Sequence, residues 1–439
     1  MMRRTGPVIS ALALGVGLFL TAAIAVGRAP RRDATTAVDR SALLAPGGLA
    51  GVEGTVEDLQ ARLRAAPRDW RAAALLGLAY LQRSRTSGDP THAARAEGVL
   101  ARSVEIRPRG NFEAALGMSS LAAARHDFRA ALRWGRRATA VNPDAADGHG
   151  LVGDALLEMG RYRAAGRAYQ RMIDLRPGLS SYARVSYYRE LHGDVPGAIA
   201  AMRLARRSAS SPEEAAWTGY RLGDLYLSVG RVGPARSELR RATQASPGHV
   251  LPQAGLAKVA AARGDLDRAE AMLEDIVARY PAPDLAMLLA DVQRAAGDLD
   301  EARETDRLVR AIDRLARAAG IDTALEMALF EADRGEPSRA AVARARRAYR
   351  DRPSIVAADA LAWILSAAGR HDAAARYSRE ALRLGTRSAT LHYHAGIIEL
   401  RLGHRGSSLR HLATALRIAP RFSPVHAPEA RAILERAAG

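Results

Sequence analysis

The 439-residue chain contains no cysteine. That excludes disulfides, thiolate metal sites, a cysteine nucleophile and a lipid-modified N-terminal cysteine. Lysine is almost missing as well: Lys258 is the only one, and arginine carries the rest of the basic charge. Aromatic residues amount to 5% and strand formers are thinly spread, while alanine, leucine and arginine dominate, a composition that favours helix. Catalytic signatures are also lacking. There is no phosphate-binding glycine loop with lysine, no His-Glu-x-x-His and no Gly-x-Ser-x-Gly. Glu326, Glu331 and Asp333 are spaced as one helix surface with no evident cleft. Neither enzymatic activity nor a cofactor is therefore expected.

The net charge of +18 is spread along the chain, and residues 250–355 are nearly neutral, with 17 basic against 19 acidic residues. A nucleic-acid binder more often gathers its charge on one face. A nucleic-acid partner is thus not expected on this pattern, and a solvated arginine surface accounts for the excess.

Val8 to Val26 is a run of 19 uncharged residues between Arg3-Arg4 and Arg28, Arg31 and Arg32. As a helix it spans roughly 28 Å, the thickness of a bilayer core. Residues 1–27 read as a signal peptide or a transmembrane anchor, with Ala23-Ile24-Ala25 resembling a cleavage site. The arginines after the run favour a cytoplasmic array, whereas a short basic head before an apolar core is the usual export pattern. The expectation is a membrane-anchored or secreted chain on the extracytoplasmic side, with a cytoplasmic-facing anchor as the alternative. Residues 28–54, broken by Pro30, Pro46, Gly47, Gly48, Gly51 and Gly54, read as a flexible linker. Thr55 begins the first helix after that linker.

From there prolines beat a regular time. Pro108, Pro143, Pro177, Pro212, Pro247 and Pro281 stand 34 or 35 residues apart, and Pro353 and Pro420 continue at near-double spacing. A fixed period near 34 denotes stacked helical repeats. Residues 144–177 show one unit clearly. Leu151, Val152, Ala155 and Leu156 recur at helical spacing, Gly160 supplies a left-handed cap, Tyr162 opens a second helix, and Pro177 ends it.

Within the units a small residue, a turn glycine, an alanine and a closing proline recur. They read Gly153, Gly160, Ala165 and Pro177, then Gly223, Gly230, Ala235 and Pro247. Gly264, Ala269 and Pro281 follow, and Gly396, Gly403 and Pro420 close the series. This pattern resembles the tetratricopeptide repeat. The resemblance implies an all-α, right-handed superhelical solenoid of antiparallel helix pairs, with about ten repeats over residues 55–420 and a capping helix in 421–439. Residues 282–317 lack a closing proline, so their second helix is expected to run on to Ala319.

The resemblance also implies function: a non-enzymatic scaffold binding a protein or peptide in a concave groove lined by first helices. The alternative is a cytoplasmic-facing regulatory or nucleic-acid-binding solenoid that uses its arginine surface. The column one residue after the small position reads Asp154, Asp224 and Lys258, with Tyr187, Asp291 and Trp363 near it in units of slipped register. Acids beside aromatics suit an extended peptide. No metal is expected. His392 and His394 point about 200° apart on a helix, and His404 and His411 have no carboxylate at ligand spacing. Trp70, Trp134, Trp217 and Trp363 read as packing residues.

Overall fold

Twenty-two α-helices and no strand make up the described residues of the computed structural model, which are 52–87, 91–335 and 337–438. Residues 1–27 and nearly all of 28–54 lie outside them, as does the uncharged run Val8–Val26. No helix among the described residues is long and apolar enough to cross a membrane.

The leading helix α1 spans Val52–Ala65. Ten antiparallel hairpins follow. The first four are α2/α3 (Trp70–Ser87, Thr91–Ile106), α4/α5 (Phe112–Ala124, Phe128–Val141), α6/α7 (Ala146–Glu158, Tyr162–Leu175) and α8/α9 (Leu179–Leu191, Val195–Arg207). The next three are α10/α11 (Pro212–Ser228, Val232–Ala245), α12/α13 (Val250–Arg263, Leu266–Arg279) and α14/α15 (Pro283–Ala296, Leu299–Ala318). The last three are α16/α17 (Ala324–Asp333, Arg339–Asp351), α18/α19 (Ile355–Ala367, His371–Ala381) and α20/α21 (Ala389–Arg401, Arg405–Ile418). Helix α22 (His426–Ala438) closes the array. The chain is thus an all-α solenoid of stacked helix pairs.

Each hairpin is held by a close approach at its small residue. A Cβ on Gly153 would stand 2.4 Å from the Tyr169 ring, one on Gly223 2.5 Å from Leu239, and one on Gly396 2.7 Å from Leu412. In all three the partner lies sixteen residues on, across the turn. Ala165, Ala235 and Ala269 are fully buried at the same crossing. The prolines act through the residue before them. Arg176, Ser246, Tyr280 and Ala419 end α7, α11, α13 and α21 in near-extended conformations. A proline ring excludes the helical region for its predecessor, so Pro177, Pro247, Pro281 and Pro420 each stop a second helix.

Two expectations need correction. Pro212 opens a helix instead of closing one: α9 ends at Arg207, Ser211 caps α10 through a bond from the Glu214 N–H, and Pro212 takes the first helical position. Its missing N–H is an orphan there in any case, and α10 gains an extra turn at its start. Helix α1 begins at Val52, before the boundary drawn at 54. First-turn N–H groups make no intrahelical bond, so Gly54 costs little there. The closing proline missing from residues 282–317 has the consequence foreseen for it: α15 runs 20 residues with Ala319 as its cap.

The solenoid then meets itself. After about five repeats the second coil packs on the first, and the turns of four hairpins seat on three inter-hairpin linkers and on the segment before α22. At the α4/α5 turn, His126 Nδ1 lies 2.6 Å from the Asp322 carbonyl, 196 residues away. At the α6/α7 turn, the Tyr162 hydroxyl accepts the Ile355 N–H at 2.8 Å. At the α8/α9 turn, the Thr386 hydroxyl donates to the Leu191 carbonyl. At the α10/α11 turn, Gly230 abuts Ile418, Ala419 and Pro420. Arg421 extends the series by donating to the Ala262 carbonyl at 3.2 Å. Part of this seam is apolar: Ile355, Val356 and Leu384 join the cluster formed by Phe128, Tyr162 and Leu191.

Candidate functional site

Successive first helices pack side by side along the solenoid, and their charged residues mostly hold one another. Asp154 on α6 is 2% exposed and receives a bidentate clamp from Arg184 on α8, at 2.8 and 2.7 Å, plus the Tyr169 hydroxyl at 3.0 Å. Such forks are strong and geometrically demanding. Burial pushes the Asp154 carboxyl up against the pull of Arg184. Trp363 on α18 is buried, donates to Asp333 at 2.7 Å and stacks on His394. Asp291 on α14 is half-buried and accepts from Arg334 at 3.0 Å. Tyr187 on α8 is half-buried on the same face.

Asp224 on α10 and Lys258 on α12 sit differently. They pair at 3.4 Å, both half-buried, and both border a cavity of roughly 570 Å³ between the two coils. Burial opposes ionisation of Asp224, but Lys258 and Arg221 outweigh it and hold the carboxyl below its ordinary value. Lys258 is held well above its own by Tyr220 and Asp224. One wall of the cavity is the inner face of α10 and α12 with Leu227, Gly230 and Arg263; the other is Thr386, Arg387, Pro420, Arg421 and Phe422. Glu190 borders it too. Burial pushes its carboxyl up to about 7, although Arg221 lies 3.6 Å away.

The cavity therefore brings together Asp224 and Lys258 with the repeat-marking Gly230 and Pro420, while Asp154, Asp291 and Trp363 are engaged elsewhere along the inner face. Glu158, Glu190 and Arg221 were not singled out from the sequence. They lie three or four residues from the Asp154, Tyr187 and Asp224 column, so the adjacent helical turn was the signal that located them. Burial also pushes Glu158 up to about 7. Glu326, read as helix surface, faces inward near Arg352 at 3.7 Å. Among the tryptophans, Trp217 and Trp363 are buried and Trp70 and Trp134 half-buried.

Two stretches match family models described as tetratricopeptide repeat, over residues 110–180 and 226–292. The chain carries tetratricopeptide repeats. Among solved structures it is similar to the APC/C hetero-tetramer Cut9-Hcn1, at 17% identity and TM-score 0.47, covering 90% of this chain and 78% of that one. It is similar to human IFIT1, at 15% identity and TM-score 0.48 over 75% and 77% of the two chains. Yeast Tom70 is similar at 13% identity and TM-score 0.37, over 89% and 87%. These likenesses concern the fold alone. None of the curated proteins compared with the sequence matches it.

Proposed function

We propose that the chain is a non-enzymatic interaction scaffold whose cavity between the coils takes an acidic peptide segment of a protein partner. The observation that carries this reading is the lining of that cavity. Arg263, Arg387 and Arg421 are exposed around it, beside Leu227, Leu288 and Phe422, whereas Asp224 and Lys258 already neutralise each other. Its volume falls within the range of ordinary ligand clefts, about 300–1,000 Å³. A surplus of arginine next to apolar surface selects carboxylates flanked by a hydrophobic side chain. Tetratricopeptide repeats serve in general as surfaces for protein or peptide partners, which fits.

Calorimetry with an acidic–apolar peptide and its charge-reversed counterpart tests the reading. The acidic peptide should bind, the basic one should not, and Arg387→Glu should weaken binding more than about tenfold (about 1.4 kcal/mol) without lowering the melting temperature. Equal binding of both peptides, or of neither, contradicts it. Retention on heparin or DNA that falls steeply with salt would favour a polyanion partner on the arginine surface instead.

We also propose that residues 8–26 hold the array at a membrane or direct its export, on the extracytoplasmic side. The uncharged run between arginine clusters supports this. Reporter fusions at the C-terminus test it: a cytoplasmic signal would overturn the assignment.

A further inference from the structure

Three helices remote in sequence place two imidazoles and a carboxylate together at the C-terminal end of the inner face. His394 comes from the middle of α20, Asp333 is the last residue of α16, and His426 is the first residue of α22. One ligand-capable atom from each lies within 4.8 Å of the other two. His426 Nε2 stands 3.6 Å from Asp333 Oδ1. Two ligands at about 2.0–2.1 Å from a tetrahedral zinc are themselves about 3.4 Å apart, so this pair needs almost no movement.

The surroundings orient these groups as metal ligands are oriented. His394 Nδ1 is bonded to Asp359 at 2.9 Å, which fixes the ring and leaves Nε2 as its free nitrogen. A carboxylate behind a ligating histidine sets its tautomer and raises its basicity. Trp363 donates to Asp333 Oδ1 at 2.7 Å and stacks flat on the His394 ring, with centroids 4.2 Å apart. Tyr393 stacks in the same way on His426, at 4.5 Å. Both rings and the carboxylate are thus held by neighbours that are not themselves in the cluster. Arg334, next to Asp333 in the chain, is neutralised by Asp291 and Asp306, each at 3.0 Å. The side chain of Asp333 is 22% exposed, which leaves an approach from solvent.

We propose that His394, His426 and Asp333 bind one divalent transition-metal ion of the zinc class, with water completing a tetrahedral shell. Two nitrogens and one oxygen with an open fourth position are a set that zinc accepts. The ion clamps the closing helix α22 to the α16 and α20 hairpins. The sequence concealed the set because its members are 61 and 32 residues apart, while His392, two residues from His394, pairs with His411 at Nδ1–Nδ1 3.1 Å.

The His392–His411 pair is the competing site, so the test separates the two. The chelator-treated full-length chain is titrated with Zn²⁺ by calorimetry and with Co²⁺ by visible absorption. The expected result is one equivalent of each, a tetrahedral Co²⁺ spectrum, and a zinc-dependent rise in melting temperature. His426→Ala and Asp333→Asn should each weaken Zn²⁺ binding more than about tenfold and abolish the rise, with circular dichroism unchanged. His392→Ala/His411→Ala should leave both intact. Absence of stoichiometric binding overturns the proposal. So does binding that survives His426→Ala and Asp333→Asn, or that is lost with the His392 pair. His426→Gln, which keeps the bulk of the ring position while removing the ligand, serves if the alanine variant fails to fold, and the same loss is expected of it.

Discussion

The α6/α7 and α8/α9 turns and the α18/α19 and α20/α21 turns are built alike in sequence, yet they do different work. Gly160, Gly193, Gly369 and Gly403 all have φ between 68° and 80° and all cap a first helix. At Gly369 and Gly403 a Cβ would meet nothing within 4 Å. At Gly160 it would lie 2.2 Å from the Pro353 carbonyl oxygen, and at Gly193 2.3 Å from that of Gly385. The outer turns need glycine only for its backbone. The seam turns need it also because another coil's main chain occupies the space. His126 reinforces the point: it is the one non-glycine with positive φ among the described residues, and its ring is bonded into the opposite coil.

The largest effect should come from testing that difference directly. Gly160→Ala combines a left-handed alanine, about 1–2 kcal/mol, with a clash against main chain that cannot rotate away, about 1–3 kcal/mol. Gly403→Ala carries only the first term. Thermal or urea unfolding of the two variants should therefore differ by more than about 1 kcal/mol; equal losses would mean that no seam forms at Gly160. Next in size is Gly223→Leu, inside a hairpin and away from the seam. Overpacking against Leu239 should cost about 1–3 kcal/mol and leave the distance between coils unchanged, which scattering can check. Tyr162→Phe is comparable in size but local. It deletes the acceptor of the buried Ile355 N–H and should cost about 1–3 kcal/mol, with faster amide exchange at Ile355 as its local signature.

The smallest effect is electrostatic and depends on pH. Glu190 is raised in the folded chain to about 7, above its unfolded value. The folded state therefore binds more protons between those two values, and stability falls as pH rises through about 7. Glu190→Gln should raise the melting temperature at pH 8 and do so much less at pH 5. An equal gain at both values would mean that burial does not act on this carboxyl.

How much of the fold was legible in the sequence depends on distance along the chain. The hairpin register could be read because its determinants are local: Gly153 and Tyr169, or Arg176 and Pro177, lie within one unit. The single misreading among the prolines, Pro212, also had a local cue in Ser211 and Glu214, the start signal of α10. The seam was hidden because it depends on a small rotation accumulated over five repeats, and nothing in the residues around Gly160 distinguishes that turn from the one at Gly403. The inner face was half legible. Helical spacing found the column of Asp154, Asp224 and Lys258, but whether a column residue faces open space depends on its partner. Arg184 arrives from the next hairpin to occupy Asp154, while the second coil stops short of Asp224 and Lys258 and leaves the cavity.

Closure of the solenoid on itself after about five repeats is open to direct measurement, because the chain has no native cysteine. Arg161→Cys and Asp351→Cys place spin labels on exposed positions beside the α6/α7 turn and the linker it meets. Pulsed electron paramagnetic resonance of this doubly labelled chain should return a single narrow population at short distance. A broad or long distribution, matching coils that stand apart, would contradict the closed turn and with it the cavity between the coils.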